Sequence, residues 1–192
     1  LFGASDNMNG FAHTYYNNQT QAWTWKRHSG FDMVTYKGKS LAGHAIPHSL
    51  NKVPEMIWVK RRDANGHWTV YHVGANNGSN PQNWALYLNL TDPNYDWTAW
   101  NDTLPTSTHF SLGTGSYINH PGSLYIAMLW SSVAGISKCG YYTGNGYAGH
   151  TITVGFQPRF LMIRRTDDGN DWMILDTFRG WASGNDAKLR WN

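Results

Sequence analysis

Cysteine and glutamate are the residues that this sequence most nearly lacks, with one of each among 192 positions. Because Cys139 is single, no intrachain disulfide can form, whereas small secreted scaffolds usually carry several disulfides. Hydrophobic residues nevertheless make up 41% of the chain, which is enough to build a packed core. The sequence therefore predicts a protein that folds in a reducing compartment and is stabilised by burial of apolar surface.

The single glutamate, Glu55, argues against glycoside hydrolysis, which usually needs two carboxylates on either side of the scissile bond. Two aspartate pairs remain, Asp92 with Asp96 and Asp167 with Asp171. Each pair lies in a turn-like segment, where aspartate commonly binds local backbone groups. No phosphate-binding glycine loop or Gly-x-Ser-x-Gly elbow is present either. We therefore predict that the chain is not an enzyme, has no catalytic residues and uses no cofactor.

The residues that usually bind metals are present but poorly arranged for it. His44 and His48 lie four positions apart, but no helical pattern puts them on one face, and His44 and His150 occupy similar places before strands. A hydrogen bond that orders a loop is the simplest role for both. Cys139, in a strand-like run, is typical of a small buried hydrophobic residue. We predict no metal site. One alternative stays open, a calcium ion bound in the turn that contains Asp167, Asp168 and Asp171, although this turn is too short to supply six oxygen ligands alone.

The chain also lacks a strong net charge and a long apolar run. The formal net charge is only +3, and the two dense basic spots, Lys60–Arg62 and Arg164–Arg165, follow apolar segments as strand ends do. Nucleic-acid binding normally requires a larger basic surface. No stretch of eighteen apolar residues is present. We therefore expect neither nucleic acid nor membrane insertion.

Aromatic residues and glycines are abundant, in short apolar runs separated by Gly, Asn, Asp and Pro. This pattern favours strands and tight turns over helices. The predicted fold is all-β, an antiparallel two-layer sandwich of the concanavalin or lectin-like kind. The strand candidates are Phe31–Tyr36, Glu55–Arg62, His67–Val73, Trp84–Leu90, Thr108–Leu112, Ser123–Trp130, Ser137–Tyr142, Arg159–Arg165 and Asp171–Asp176.

We divide the chain into an aromatic-rich lead-in (1–30), a sandwich domain (31–181) and the start of a further segment (182–192). Both ends are expected to be cuts in a longer polypeptide. In the strand candidate Glu55–Arg62, both sets of alternating residues are apolar, so we expect both faces of this strand to be covered. The predicted core positions are Trp84, Leu86, Leu88, Leu124, Ile126 and Met128.

An internal repeat links residues of about 34–72 to residues of about 140–176. Tyr36 and His44 recur 106 positions later as Tyr142 and His150. An apolar run, a basic pair, an aspartate and a tryptophan then recur at an offset of 104, and repeats of this kind are typical of architectural proteins. We predict that one strand–loop–strand–turn–strand unit occurs twice.

The second copy carries motifs that identify a family. The run Gly155–Arg165, followed by Asp176–Gly180, resembles a repeat of phage and prophage structural proteins with the pattern Gly-Phe-x-Pro, an apolar strand ending in Lys or Arg, a polar hairpin and Asp-x-x-Arg-Gly. The resemblance extends over residues 23–181, although the first copy has Val73-Gly74 in place of Arg-Gly. The family is similar to lectin-like sandwiches of tail fibres and virion surface proteins, and it has no established catalytic residues.

The resemblance implies a non-enzymatic structural and attachment module at the virion surface or tail, assembled in the bacterial cytoplasm. Its expected partners are other virion proteins, identical chains in a homo-oligomer, and a host cell-surface glycan. Two alternatives stay open: a lectin-like carbohydrate-binding module, and a polysaccharide depolymerase.

The aromatic segment of residues 95–102 is the best candidate for ligand binding. Sugars stack their apolar faces on exposed rings, while Asn and Asp bind hydroxyl groups. Trp23 and Trp25 form a second aromatic pair. The predicted ligand-binding residues are Tyr95, Trp97, Trp100, Asn101 and Asp102, with packing in the core as the competing interpretation.

Overall fold

The computed structural model of the protein describes residues 2–3, 12–13, 24–27, 30–177, 180 and 188–191. Within these residues strands dominate, accompanied by a single helical turn, α1 (Ser116–Asn119), and three short 3₁₀ turns. Trp23 and residues 178–179 of the predicted motif lie outside the described residues. The strands are β1 (Phe2–Gly3), β2 (Ala12–His13), β3 (Phe31–Lys37), β4 (His44–Pro47), β5 (Met56–Arg61), β6 (Thr69–His72), β7 (Trp84–Tyr87), β8 (Tyr95–Asp96), β9 (His109–Leu112), β10 (Leu124–Trp130), β11 (Phe160–Ile163), β12 (Met173–Asp176) and β13 (Leu189–Arg190).

A six-stranded antiparallel sheet forms the centre of the molecule, in the order β3-β10-β5-β6-β7-β8. Strand β10 lies inside it and pairs with β3 over seven residues and with β5 over six. Three smaller sheets, β11-β12-β13, β4-β9 and β1-β2, are also antiparallel. The predicted all-β, antiparallel fold class is confirmed.

One face of the central sheet packs into the larger core, which we call the first cluster. Its residues alternate along the strands, as Ile57 and Val59 do on β5 and Tyr125, Ala127 and Leu129 do on β10. Residues of β4, β9 and the Thr98–Trp100 turn cover this face. The first cluster consists of Ile46, Leu50, Ile57, Val59, Tyr71, Ala85, Ala99, Trp100, Phe110, Leu112, Ile118, Tyr125, Ala127 and Leu129.

The opposite face of the same sheet packs into a second cluster that is rich in tryptophan. Trp58 and Trp130 lie here with ring centroids 4.3 Å apart. Side chains of the β11-β12-β13 region, Met162 and Trp191 among them, pack against this face. Its buried members are Trp58, Val70, Leu86, Leu88, Trp130 and Trp172. The prediction that the 55–62 strand is covered on both sides is therefore confirmed.

The sequence misassigned the two faces of β10. Leu124, predicted as core, is 47% exposed, and Ile126 and Met128 are only half-buried. The fully buried face carries Tyr125, which is polar at its tip. The Tyr125 hydroxyl donates to the carbonyl of Ser116 and accepts from the backbone N–H of His120, so its burial leaves no polar group without a partner. Leu86 and Leu88 are fully buried as predicted, whereas Trp84 is half-buried.

The two proposed repeat units share details of pairing. In the β5–β6 hairpin Met56 pairs with His72, and in the β11–β12 hairpin Phe160 pairs with Asp176, an offset of 104 on both strands. The Arg61–Asp63 ion pair at the end of the first hairpin strand recurs as Arg165–Asp167, between the same atoms. The Tyr36–His44 ring pair recurs as Tyr142–His150. The predicted strand Ser137–Tyr142 is wrong, because that segment is irregular beyond an isolated bridge to Ser137.

A buried carboxylate fastens the start of the sheet to the loop after β4. Asp32 accepts hydrogen bonds from Arg27 Nε at 2.6 Å, from the N–H and Oγ of Ser49 at 2.7 and 3.0 Å, and from the N–H of Met33. Burial raises the pKa of Asp32, but these four donors together lower it below its usual value.

We expect Asp32→Asn to lower the free energy of unfolding by about 2 kcal/mol at neutral pH, because the new amide NH₂ faces donors on either side. A carboxyl whose folded pKa lies below its unfolded pKa stabilises the fold above the unfolded pKa, near 4, and loses that contribution as pH falls through the folded pKa. Urea unfolding of the wild type and of Asp32→Asn between pH 7 and pH 2 measures the difference in their free energies of unfolding. The difference should shrink below about pH 4, and a difference that stays constant over the whole range would contradict the assignment.

Candidate functional site

Trp100, predicted as a stacking ring, is a core residue. It is only 2% exposed, and its ring packs edge-on against Tyr71 with centroids 5.7 Å apart. Its indole N–H donates to the carbonyl of Trp84 at 3.1 Å. The 3₁₀ turn Thr98–Trp100 directs this side chain into the first cluster, so it is removed from the candidate site.

Asn101 and Asp102 shape the turn that follows. Both adopt left-handed backbone conformations, with φ of 54° and 47°, which Asn and Asp tolerate better than most residues. Asn101 is half-buried and its amide lies 3.4 Å from the Thr103 hydroxyl, while Asp102 is exposed. Their composition, typical of a sugar site, is explained here by turn geometry.

Tyr95 and Trp97, by contrast, belong to a group of five rings at the surface, which we call the aromatic patch: His67, Tyr87, Tyr95, Trp97 and Tyr117. Tyr95 and Trp97 stack at 5.8 Å with an interplanar angle of 18°. Tyr117 packs edge-on against Trp97, Tyr87 and His67 at 5.3–6.5 Å. Tyr117 is 39% exposed and the other four rings are half-buried. The patch is therefore a continuous, partly exposed aromatic surface.

Four separate segments bring these rings together. Strand β8 pairs with β7, which places Tyr95 opposite Ala85 and near Tyr87 at the end of β7. Tyr117 comes from α1. The Trp97 ring lies so close to Gly115 that a Cβ atom there would be 2.4 Å from it, so only glycine permits this packing.

Polar groups border the patch. The Asn89 side-chain oxygen accepts from the N–H of Trp68 at 2.9 Å, which leaves its amide nitrogen to donate to His67 Nδ1 at 3.1 Å. Neutral His67 then carries its proton on Nε2. Burial raises the pKa of Tyr87 and of Tyr95, with nearby Asp92 adding to both, so their hydroxyls remain neutral at physiological pH. The patch thus combines flat rings with hydroxyl and carboxylate groups.

Two side chains of the β11–β12 hairpin, which we call the latch, bind the backbone beneath the patch: Arg164 and Trp172. The guanidinium of Arg164 donates to the carbonyls of Tyr87 and Leu90, and also to that of Asp92. The indole N–H of Trp172 donates to the same Tyr87 carbonyl at 2.9 Å, and Arg164 stacks over the Trp172 ring at 5.4 Å. The hairpin therefore helps to fix the position of Tyr87.

Beside this latch lies a cleft of about 620 Å³ between β6–β7, the 140–146 segment and the β11–β12 hairpin. His72 lines it, and burial lowers the pKa of His72 to about 4. Its Nδ1 accepts the N–H of Gly74 at 2.9 Å, so this histidine is neutral and has one nitrogen occupied. The cleft contains aromatic and charged groups of both signs.

The residues considered for catalysis have structural contacts. Glu55 accepts from the N–H and Oγ of Ser132, each at 2.5 Å, which fixes the turn after β10. Burial, with Glu55 nearby, raises the pKa of the Cys139 thiol to about 12, so it is not a thiolate at neutral pH. Asp167 binds Arg165 at the surface. Glu55 and Asp167 therefore each have a structural partner.

Within the described residues, no cluster of three or more histidine, cysteine or acidic side chains is arranged to hold a metal ion. Helices there are also too short to cross a membrane. The hydrogen-bonding role predicted for His44 is confirmed, because its Nδ1 lies 3.1 Å from the side-chain oxygen of Asn119.

The chain matches a protein-family model over nearly its whole length. No curated protein and no solved structure matches the chain. A family model, described as a domain of unknown function (DUF7483), matches residues 6–191, nearly the whole chain and all of the site described above. The chain therefore belongs to the DUF7483 family.

Proposed function

We propose that this chain is a non-catalytic structural and attachment module of a phage particle, which contacts a host cell-surface glycan through the aromatic patch. The observation that carries the proposal is the patch itself: five contiguous rings, partly exposed and fixed from several strands. Aromatic rings that stay at a surface in this way commonly mark binding sites, because burial elsewhere would be more favourable.

The chemistry of the patch suits a carbohydrate. Trp97 stacks on Tyr95 and is only half-buried, and we expect its remaining exposed surface to contact the C–H face of a sugar ring. We expect the hydroxyl of Tyr117, the most exposed ring of the patch, and the exposed Asp92 carboxylate to supply a donor and an acceptor for sugar hydroxyls. The rings are held before any ligand arrives, which reduces the entropy lost on binding.

The test is glycan binding by variants of the patch. A glycan array of bacterial surface polysaccharides identifies a ligand, and titration then gives its Kd. We expect Tyr117→Ala and Trp97→Ala each to weaken binding by at least tenfold, about 1.4 kcal/mol, as central aromatic residues of binding sites do.

Tyr147→Ala is the matched control, since Tyr147 is 81% exposed and lies far along the chain in the 131–159 segment. It should bind as the wild type does. Thermal unfolding of each variant separates lost binding from lost folding. If well-folded Tyr117→Ala and Trp97→Ala bind and adsorb to host cells normally, the module is a scaffold alone. Release of products from the bound polysaccharide would instead favour a depolymerase.

A further inference from the structure

The cleft beside the latch is a second concave site, separate from the aromatic patch. Its volume of about 620 Å³ lies within the range of roughly 300–1,000 Å³ that small-molecule sites usually have. Its described lining includes none of the five rings of the patch. Strands β6 and β7, the 140–146 segment and the β11–β12 hairpin each contribute to its walls, so parts of the chain that are distant in sequence build it together.

Two tyrosines of the 140–146 segment form an aromatic wall of the cleft. Tyr141 is 57% exposed and Tyr142 is 47% exposed. The Tyr141 side chain lies so close to the turn that contains Gly74 and Gly78 that a Cβ atom at either glycine would collide with it. The Tyr142 ring packs edge-on against His150, with ring centroids 5.8 Å apart. Contacts within the chain therefore hold both rings while leaving part of each accessible.

His72 supplies a neutral hydrogen-bond donor to the cleft. Its Nδ1 accepts the N–H of Gly74 at 2.9 Å, so the proton of the neutral ring is on Nε2. Burial lowers the pKa of His72 to about 4, which keeps the ring neutral at physiological pH. In the described part of the chain this Nε2–H has no protein acceptor, so it remains to donate to a ligand. Thr143, Thr166 and Asn170 also line the cleft, and their side chains are neutral donors and acceptors.

The charged side chains of the cleft are engaged within the protein. Two arginines and two aspartates line it, so their formal charges sum to zero. Arg165 binds Asp167 at 2.6 Å, and Asp171 binds Arg190 at 2.7 Å. Arg164 donates to three backbone carbonyls of β7 and the loop after it. Such a site favours a neutral ligand, because an ion would lose hydration on entering without gaining an unpaired opposite charge.

We propose that this cleft binds a neutral mono- or disaccharide. The exposed part of the Tyr142 ring stacks on the C–H face of a sugar ring, and the Nε2–H of His72 donates to a sugar oxygen. Flat apolar faces together with many uncharged hydroxyl groups are the features that match partly exposed rings beside neutral donors and acceptors. The inference does not rest on the proposed function of the aromatic patch, because no ring of the patch takes part.

Saturation-transfer difference NMR with the whole chain is the first test. The neutral probes are glucose, galactose, N-acetylglucosamine, lactose and chitobiose, and the acidic comparisons are glucuronate and galacturonate. We expect saturation transfer to at least one neutral probe. Titration then gives its Kd, and we expect the best neutral probe to bind roughly tenfold more tightly than either uronate.

Two variants alter the cleft in different ways. Tyr142→Ala removes a stacking ring, and Gly144→Leu adds a side chain to the lining at a position where a Cβ atom meets open space. We expect each variant to weaken binding of the best neutral probe by roughly tenfold. Tyr147→Ala is the matched control, since this 81% exposed tyrosine of the same segment does not line the cleft, and it should bind as the wild type does. Thermal unfolding checks that each variant is folded.

Saturation transfer to no neutral probe would overturn the inference, as would a uronate that binds as tightly as the best neutral probe. Normal binding by folded Tyr142→Ala and Gly144→Leu would also overturn it. If Tyr117→Ala abolishes binding while both cleft variants bind normally, the sugar occupies the aromatic patch instead. That outcome supports the proposed function and contradicts only the cleft, so the two proposals fail separately.

Discussion

Replacing Asn119 by leucine is expected to lower the free energy of unfolding by roughly 3–5 kcal/mol, because several buried polar groups would lose their partners at about 1–3 kcal/mol each. Asn119 is fully buried at the end of α1. Its side-chain oxygen accepts from the N–H of Lys39 at 2.8 Å and from His44 Nδ1 at 3.1 Å. Its amide nitrogen donates to the carbonyls of Leu41 and Gly113 at 3.1 and 2.6 Å.

Leucine has a similar shape but makes none of these four hydrogen bonds. His44 and Gly113 are buried as well, so water cannot readily replace the lost partner. Chemical denaturation of Asn119→Leu measures the loss, and Asn145→Leu, at an exposed asparagine, provides the control with little expected effect. A loss below about 1 kcal/mol would show that Asn119 does not join the loop before β4 to α1 as the contacts indicate.

The strands could largely be predicted from the sequence because each depends on a local pattern. Seven predicted runs coincide with β3, β5, β6, β7, β9, β10 and β12, and an eighth contains β11. Short strands without a strong alternation were missed: β1, β2, β4, β8 and β13. The run Ser137–Tyr142 has the composition of a strand, but strands also need a neighbour, and a local pattern does not reveal one.

The orientation of β10 was harder to predict for a physical reason. Its two alternations, one with Tyr125, Ala127 and Leu129 and the other with Leu124, Ile126 and Met128, are both apolar. Alternation predicts which face is buried only when one face is polar. The hydrogen bonds that allow the Tyr125 hydroxyl to be buried come from Ser116 and His120, which the sequence of the strand alone does not identify.

The candidate site was predicted in part. Local composition identified Tyr95 and Trp97, because aromatic residues in a polar, turn-rich segment often lie at a surface. Local composition could not show that Trp97 stays near the surface while Trp100 is buried, since the inward orientation of the Trp100 side chain depends on its hydrogen bond to the carbonyl of Trp84. His67, Tyr87 and Tyr117 were missed because they join the patch from segments that are distant in sequence. Asn119 was missed because a buried amide leaves no periodic signal.

Leu129→Ala and Leu124→Ala form a matched pair on one strand, and we expect very different results from them. Leu129 is fully buried in the first cluster, opposite Ile57 on β5 and Asp32 on β3. Removing its side chain leaves a cavity in a tightly packed core, at a cost of roughly 2–5 kcal/mol. Leu124 is 47% exposed at the start of the same strand, and its truncation should cost less than about 1 kcal/mol.

Both variants change the same residue type on one strand, so strand propensity differs little between them. Urea unfolding of each variant, with the slope of free energy against urea concentration held common if the data allow, gives the two losses. Equal losses would mean that β10 presents its Leu124 face to a core as closely packed as the first cluster. That outcome would reverse the assignment of the two faces of β10, on which Leu129 lies opposite Ile57.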